Sequence, residues 1–302
     1  MKIGVDGGGT KTELILVDDD GAVIARHLAP GCNPSVAGPA VALAALDDAF
    51  DALFEAPGAQ PAASDLPVTH TLLCMAGAPG FWREAAGMLT ASGTFGQVTA
   101  LDDSRPVLAL ATGGQPGLVL HGGTGSFVAA QAPDGSFHYA GGTGWRFGDP
   151  GSGYDLGRRT ISRALLELQG WLLPSRLGTL LRDHTGLTEA AAITRYFYQH
   201  AEPNRQIAGL APGLLRLAAE GDPAAHQIVT ESCTELLKLA ESVTTKLFAG
   251  WHLDELRAGV SGPILCHPAA QKALATRSSL TLRPVVDAPI EGVRRLLLGL
   301  HT

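Results

Sequence analysis

Ile3-Gly4-Val5-Asp6-Gly7-Gly8-Gly9-Thr10-Lys11-Thr12 sets the reading of the whole chain. A short apolar strand ends in a carboxylate, three glycines and two hydroxyls, and a second strand, Glu13 to Asp18, follows at once. Consecutive glycines leave backbone N–H groups uncovered, so such a turn can close on an anion. Thr10 and Thr12 add hydroxyl donors, and Asp6 suits a hydrated Mg²⁺ ion. The stretch therefore reads as a β-hairpin that grips nucleotide phosphates. It is no Walker loop, because Thr10 stands between Gly9 and Lys11, and no dinucleotide fingerprint, because the following residues alternate as a strand. An ordinary glycine hairpin would satisfy this stretch alone.

A second copy weighs against the ordinary turn. Shifting the sequence by 114 residues lays Gly8-Gly9-Thr10 on Gly122-Gly123-Thr124 and Thr12 on Ser126, and in the same register Asp20-Gly21 falls on Asp134-Gly135. Both copies read as strand, phosphate-type turn, strand, Asp-Gly turn, strand. Two such units predict two related halves facing each other across a cleft.

Composition agrees with two filled cores. The 302 residues are 45% hydrophobic and 17% charged, which suits two ordinary domains and excludes a disordered chain. A net charge of -7 with scattered Lys and Arg leaves no basic stripe, so nucleic acid is not an expected partner. Cys32, Cys74, Cys233 and Cys266 lie far apart and read as apolar residues of a reduced compartment, and the ten histidines show no ligand spacing. Without a signal peptide or a membrane-spanning apolar run, a cytoplasmic protein with no membrane partner is expected.

Along the chain, Asn33 lies in a loop before Pro34, where a turn cap and a ligand contact are equally open readings. Val41 to Phe54 reads as an amphipathic helix, 57–67 as a linker, and Thr69 to Met75 as a buried strand opening into a loop with Gly77. The strand Val98 to Leu101 ends on Asp102-Asp103-Ser104, where an open α/β sheet binds ligands. One carboxylate of the pair is expected to cap the next helix and the other to act as a general base. Gly141 to Tyr154 is too glycine-rich for a regular element and reads as a binding loop. Helices fill most of the chain to Gly250, including one unbroken run from Ile207 to Glu220. A strand then reaches a third glycine turn at Ser261-Gly262-Pro263, and the last helix, Ile290 to Leu300, can pack back on another domain.

This order of motifs resembles the actin, hexokinase and heat-shock chaperone superfamily of ATP-binding folds. Within it the chain looks like the N-acetylglucosamine and glucosamine kinases grouped with the BadF/BadG/BcrA/BcrD ATPases. Gly148-Asp149-Pro150-Gly151-Ser152-Gly153, following Gly122 to Ser126, carries that resemblance most specifically. It implies an α/β fold of two ribonuclease-H-like (actin-like ATPase) domains, each with a mixed five-stranded sheet flanked by helices, at 1–106 plus 289–302 and at 107–288. It implies ATP and Mg²⁺ as cofactors, an amino sugar as substrate and a homodimer. Asp6, Gly8, Gly9, Thr10 and Thr12 would form the first phosphate site, with Asp6 holding Mg²⁺ through water. Gly123, Thr124 and Gly125 would form the second, and Ala211 and Gly262 would border the adenosine. Asp103 would take the proton from the sugar 6-hydroxyl. Asn33, Gly77, Gly142, Thr143, Gly144, Asp149 and Ser152 would fall on sugar contacts. Pro150 and Thr143 depart from the usual pattern beside the sugar's 2-substituent, so acetylated and free amino sugars both stay open. Two further readings of the fold are an ATP-driven dehydratase activator, which needs clustered cysteines for its iron–sulfur group, and a non-catalytic sugar sensor.

Overall fold

In the computed structural model, which describes residues 1–59 and 67–300, the chain divides into two compact units: Met1–Gly114 with Asp287–Thr302, and Gln115–Val286. Most of the linker expected at 57–67 lies outside the described residues.

The first unit is built from β1 (Lys2–Gly7), β2 (Lys11–Val17), β3 (Val23–Pro30), α1 (Pro34–Ala37), α2 (Pro39–Glu55), β4 (His70–Met75), α3 (Pro79–Ser92), β5 (Gln97–Asp102) and α4 (Ser104–Thr112). The second contains β6 (Gly117–Gly122), β7 (Ser126–Gln131), β8 (Phe137–Gly141), α5 (Gly153–Leu168), α6 (Arg176–Thr185), α7 (Ala190–Gln199), α8 (Pro203–Ala208), α9 (Ala211–Ala219), α10 (Pro223–Leu247), β9 (Arg257–Ser261), α11 (Gly262–Leu265), α12 (Pro268–Arg277) and β10 (Leu282–Pro284). The chain then returns as α13 (Pro289–Leu298) to the first unit. The helix expected over Ile207 to Glu220 is two, α8 and α9, because the chain turns at Gly209 and Leu210.

The two sheets share one topology. The first runs β3-β2-β1-β4-β5, and the second, read from its far edge, runs β8-β7-β6-β9-β10. In each, three antiparallel strands lead the sheet and two parallel strands follow. The repeat extends to single hydrogen bonds. Gly21 N–H donates to Asp18 O (3.1 Å) and Gly135 N–H to Ala132 O (2.9 Å), and both glycines sit at φ +84°. The two copies differ by one residue at the phosphate-type turns. Gly7 pairs with Thr12, whereas Gly122 pairs with Ser126, so the second turn is one residue shorter.

Strand alternation distributes the first unit's core. Ile3, Val5, Leu14 and Leu16 face α2 and α3, while Ile15, Val17, Leu72 and Cys74 face Ile290, Val293 and Leu297 of α13. Burying each large aliphatic side chain contributes about 1.5–3 kcal/mol, which ties the C-terminal helix to the first sheet. Gly4 makes that approach possible, since a Cβ there would lie 2.9 Å from Val293 Cγ1. In the second unit, Leu118, Leu120, Val128, Val260 and residues of α5, α9, α10 and α12 make one continuous core.

Candidate active site

In the first unit the open ends of β1, β4 and β5 gather the chemistry. Asp6 pairs with Cys74, and Cys74 with Leu101, two residues before Asp103. Of the Asp102 and Asp103 pair, one was expected to cap the next helix, and Asp102 is the one that does. Asp102 Oδ1 accepts from the Ser104 amide (3.0 Å) and from the Ser104 hydroxyl, which fixes the start of α4. Asp103 makes no capping bond. Burial, then the charges of Asp102 and Asp6, push Asp103 up to about 7. Burial pushes Asp6 up to about 6, against the opposing pull of Lys11. Two desolvated carboxylates with raised proton affinity thus lie at the same end of one sheet, the kind of setting that suits proton transfer or cation binding.

The first turn closes through Gly8 N–H donating to Lys11 O at 2.9 Å. The Gly9 and Thr10 amides have no partner among the described residues, so both remain available to an anion. Gly31 supports the turn from below, where any Cβ would collide with the Gly9 carbonyl and the Thr10 nitrogen. Thr10 is exposed, but Thr12 is not a phosphate donor. It is buried, and its hydroxyl donates to Cys32 Sγ at 3.1 Å. Strand alternation turns residue 12 inward, a correction to the expected site.

Asn33 and Gly77 also belong to this group. Asn33 Oδ1 accepts from Ser35 N–H (2.9 Å) and so caps α1, while its Nδ2 lies 4.0 Å from the position a Gly9 Cβ would occupy. The cap reading of Asn33 therefore holds for its oxygen, and its nitrogen has no hydrogen-bond partner among the described residues. Gly77, at φ +69°, gives way to Asn33 and Ser35, which a side chain would strike.

In the second unit the shorter turn rests on the start of α5. Gly153 N–H donates to Gly123 O (2.8 Å) and Tyr154 N–H to Thr124 O (3.3 Å), leaving the Thr124 and Gly125 amides unpartnered among the described residues. Asp149 is buried beside this turn. Its Oδ2 lies 3.1 Å from the Cβ position of Gly125, and its Oδ1 has no hydrogen-bond partner. Burial raises its pKa, and the Gly144 amide partly offsets this. A buried carboxylate oxygen without a donor is costly, which suits a hydroxyl-bearing ligand.

Other expected contacts separate by exposure. Gly142, Thr143 and Gly144 are exposed on the loop, where Thr143 Oγ1 donates to Gly148 O at 3.3 Å. Ser152 is fully buried, and its Oγ accepts from Asp155 N–H at 3.0 Å, so it is the N-cap of α5 and no direct sugar contact. Ala211 is fully buried in the core and offers no surface to a nucleotide. Gly262, at φ +82°, sits against the second turn, where a Cβ would strike Gly122 O.

The sequence reading passed over His121, the residue just before the second glycine turn. A search for metal-ligand spacing misses it. By strand pairing His121 takes the place of Asp6, but the 114-residue shift lays it on Gly7, because the second turn is one residue shorter.

The BadF/BadG/BcrA/BcrD ATPase pattern matches residues 3–250. The chain belongs to this family. It is 30% identical over 257 residues to the N-acetyl-D-glucosamine kinase of Dictyostelium discoideum, covering 81% of this chain and 79% of that one. It is 26% identical over 160 residues to an N-acetylmuramic acid/N-acetylglucosamine kinase of Clostridium acetobutylicum, about half of each chain (53% and 52%). A crystal structure of a candidate N-acetylglucosamine kinase from Chromobacterium violaceum superposes with a TM-score of 0.76 over 98% of both chains at 27% identity. The family member therefore has the expected α/β architecture, two mixed five-stranded sheets flanked by helices.

Proposed function

We propose that this family member transfers the γ-phosphoryl group of ATP to the 6-hydroxyl of an amino sugar, with N-acetylglucosamine ahead of glucosamine. Asp103 carries the reading: it is a half-buried carboxylate with a raised pKa, uncommitted to capping, at the same end of the sheet as a glycine turn with free amides. Its ionised form would accept the O6 proton as O6 attacks the γ-phosphorus, and the bond to the bridging oxygen breaks to release ADP. The amides at Gly9, Thr10, Thr124 and Gly125 would hold phosphate oxygens. On the first unit Asn33 Nδ2 and Gly77, and on the second unit Asp149 Oδ1 and the exposed Gly142 to Gly144 backbone, would each offer contacts to sugar hydroxyls.

Asp6 fits the Mg²⁺ that such a transfer needs. No cluster of three or more metal-ligating side chains occurs among the described residues, so an ion here would depend on water and phosphate oxygens. Asp6, a desolvated carboxylate with no cationic hydrogen-bond partner among the described residues, would hold it through water. When bound, Mg²⁺ neutralises phosphate charge. The dehydratase-activator reading fares poorly, since Cys32, Cys74 and Cys233 are buried and no cysteine cluster exists among the described residues. The proposal includes a cytoplasmic homodimer, testable by fractionation and by solution mass.

A coupled ADP-release assay across N-acetylglucosamine, glucosamine, N-acetylmannosamine and glucose tests the reading. N-acetylglucosamine is expected to give the highest kcat/KM. Absence of ADP release with every amino sugar would overturn it.

A further inference from the structure

The second glycine turn lacks the carboxylate of the first and carries an imidazole instead. His121 lies one residue before the end of β6, with its ring held on two sides. Nδ1 lies 2.9 Å from Ser261 Oγ, at the end of the neighbouring strand β9. One ring face stacks on Phe127 (centroids 4.8 Å apart, planes at 14°), and Phe127 stacks in turn on Tyr139 at 5.2 Å. The edge bearing Nε2 and Cε1 faces the two glycine turns. A Cβ on Gly123 would lie 3.1 Å from Nε2, and one on Gly262 2.9 Å from Cε1. Two glycines thus keep open the space against this edge, and Nε2 has no hydrogen-bond partner among the described residues.

The tautomer follows from the neighbours. Burial holds His121 down to about 4, so the ring is neutral near pH 7 and carries one proton. Ser261 Oγ is 3.5 Å from Leu120 O, too long for a good O–H···O bond, and 2.9 Å from His121 Nδ1. Nδ1 is thus the better-placed acceptor for the serine proton, an arrangement that leaves the ring proton on Nε2, directed at the turn.

We infer that His121 binds the nucleotide, donating its Nε2–H to a phosphate oxygen held at Gly123-Thr124-Gly125, and that Ser261 is the positioning residue that sets this tautomer. The inference rests on the kinase reading of the same turn and adds to it a side-chain contact. An uncharged donor supplements the Thr124 and Gly125 amides without placing a buried cation in the second unit's core, where desolvation would penalise it.

Isothermal titration with a non-hydrolysable ATP analogue tests the contact. His121→Phe keeps the stacking ring and removes the donor, and its dissociation constant is expected to rise about tenfold or more. His121→Gln, which retains an amide N–H, should recover part of that loss, and the sugar's dissociation constant should not change in either variant. Ser261→Ala should weaken the analogue several-fold. Independently of any variant, ¹⁵N NMR of the wild-type protein should show His121 protonated at Nε2, with that resonance shifting on addition of the analogue. An Nδ1-protonated ring, or unchanged affinity in His121→Phe, would overturn the inference while leaving the kinase reading intact. A wild-type protein that binds no analogue would overturn both.

Discussion

The two glycine turns are copies of one sequence pattern, yet they differ in charge. The first follows Asp6 and lies at the same end of its sheet as Asp103, two carboxylates that burial pushes up to about 6 and about 7. The second follows His121, an imidazole held neutral, and rests on the first amides of α5. Topology and the Asp-Gly turn bonds are the same in both units, so the framework does not cause the difference. It arises at the residues just before each turn. The lesson is that a duplicated glycine turn can become asymmetric through a few side chains, which leave carboxylates at one copy and an imidazole at the other.

The largest break in this comparison should come from Asp103→Asn. We expect kcat to fall by about 10²–10⁴, the range for losing a general base, with sugar affinity in direct titration nearly unchanged. The mirror experiment, His121→Phe, should act on nucleotide affinity and leave the acid–base step in place.

Backbone clearances come next. Gly31→Ala places a Cβ against the Gly9 carbonyl and Thr10 nitrogen, and it should raise the KM for ATP by about tenfold, a displacement of 1.4 kcal/mol. Gly262→Ala adds an unfavourable positive φ to its clash with Gly122 O, and it should cost about 1–3 kcal/mol of stability in urea unfolding.

Charge can also be read through stability. Asp6 and Asp103 hold protons more tightly in the folded state than at their ordinary value of 3.8. Their contribution is therefore full below about pH 4 and is lost as pH rises through about 6 and about 7. Asp103→Asn should accordingly raise the melting temperature of the ligand-free protein at pH 8 and change it little at pH 4. An equal effect at both pH values would contradict the desolvation argument.

The smallest effects should separate two neighbouring threonines. Thr10→Val should weaken ATP binding a few-fold. Thr12→Val should leave ATP binding alone and remove about 1 kcal/mol or less of stability, since only its bond to Cys32 is lost.

What could be read from the sequence was whatever repeats or is confined to adjacent residues. The 114-residue shift anticipated two matching sheets, down to the turns at Gly21 and Gly135. Asp102-Asp103-Ser104 announced one cap and one free carboxylate, because an Asx cap needs only a nearby amide. What could not be read depended on side-chain direction. Thr12 and Ser126 occupy corresponding places, yet alternation turns both inward, to Cys32 Sγ and to Pro150 O. Ser152 became a cap because α5 begins one residue later, and Ala211 vanished into a core that only tertiary packing defines. His121 stayed hidden because its partner Ser261 is 140 residues away.

The pH dependence of the rate with both substrates far below KM tests the asymmetry most directly, because it reports the free enzyme. In the wild type and in His121→Gln alike, the rate should rise with pH as carboxylates with values near 6 to 7 ionise. A profile flat from pH 5 to 9, or an acid limb that moves when His121 is replaced, would contradict the account.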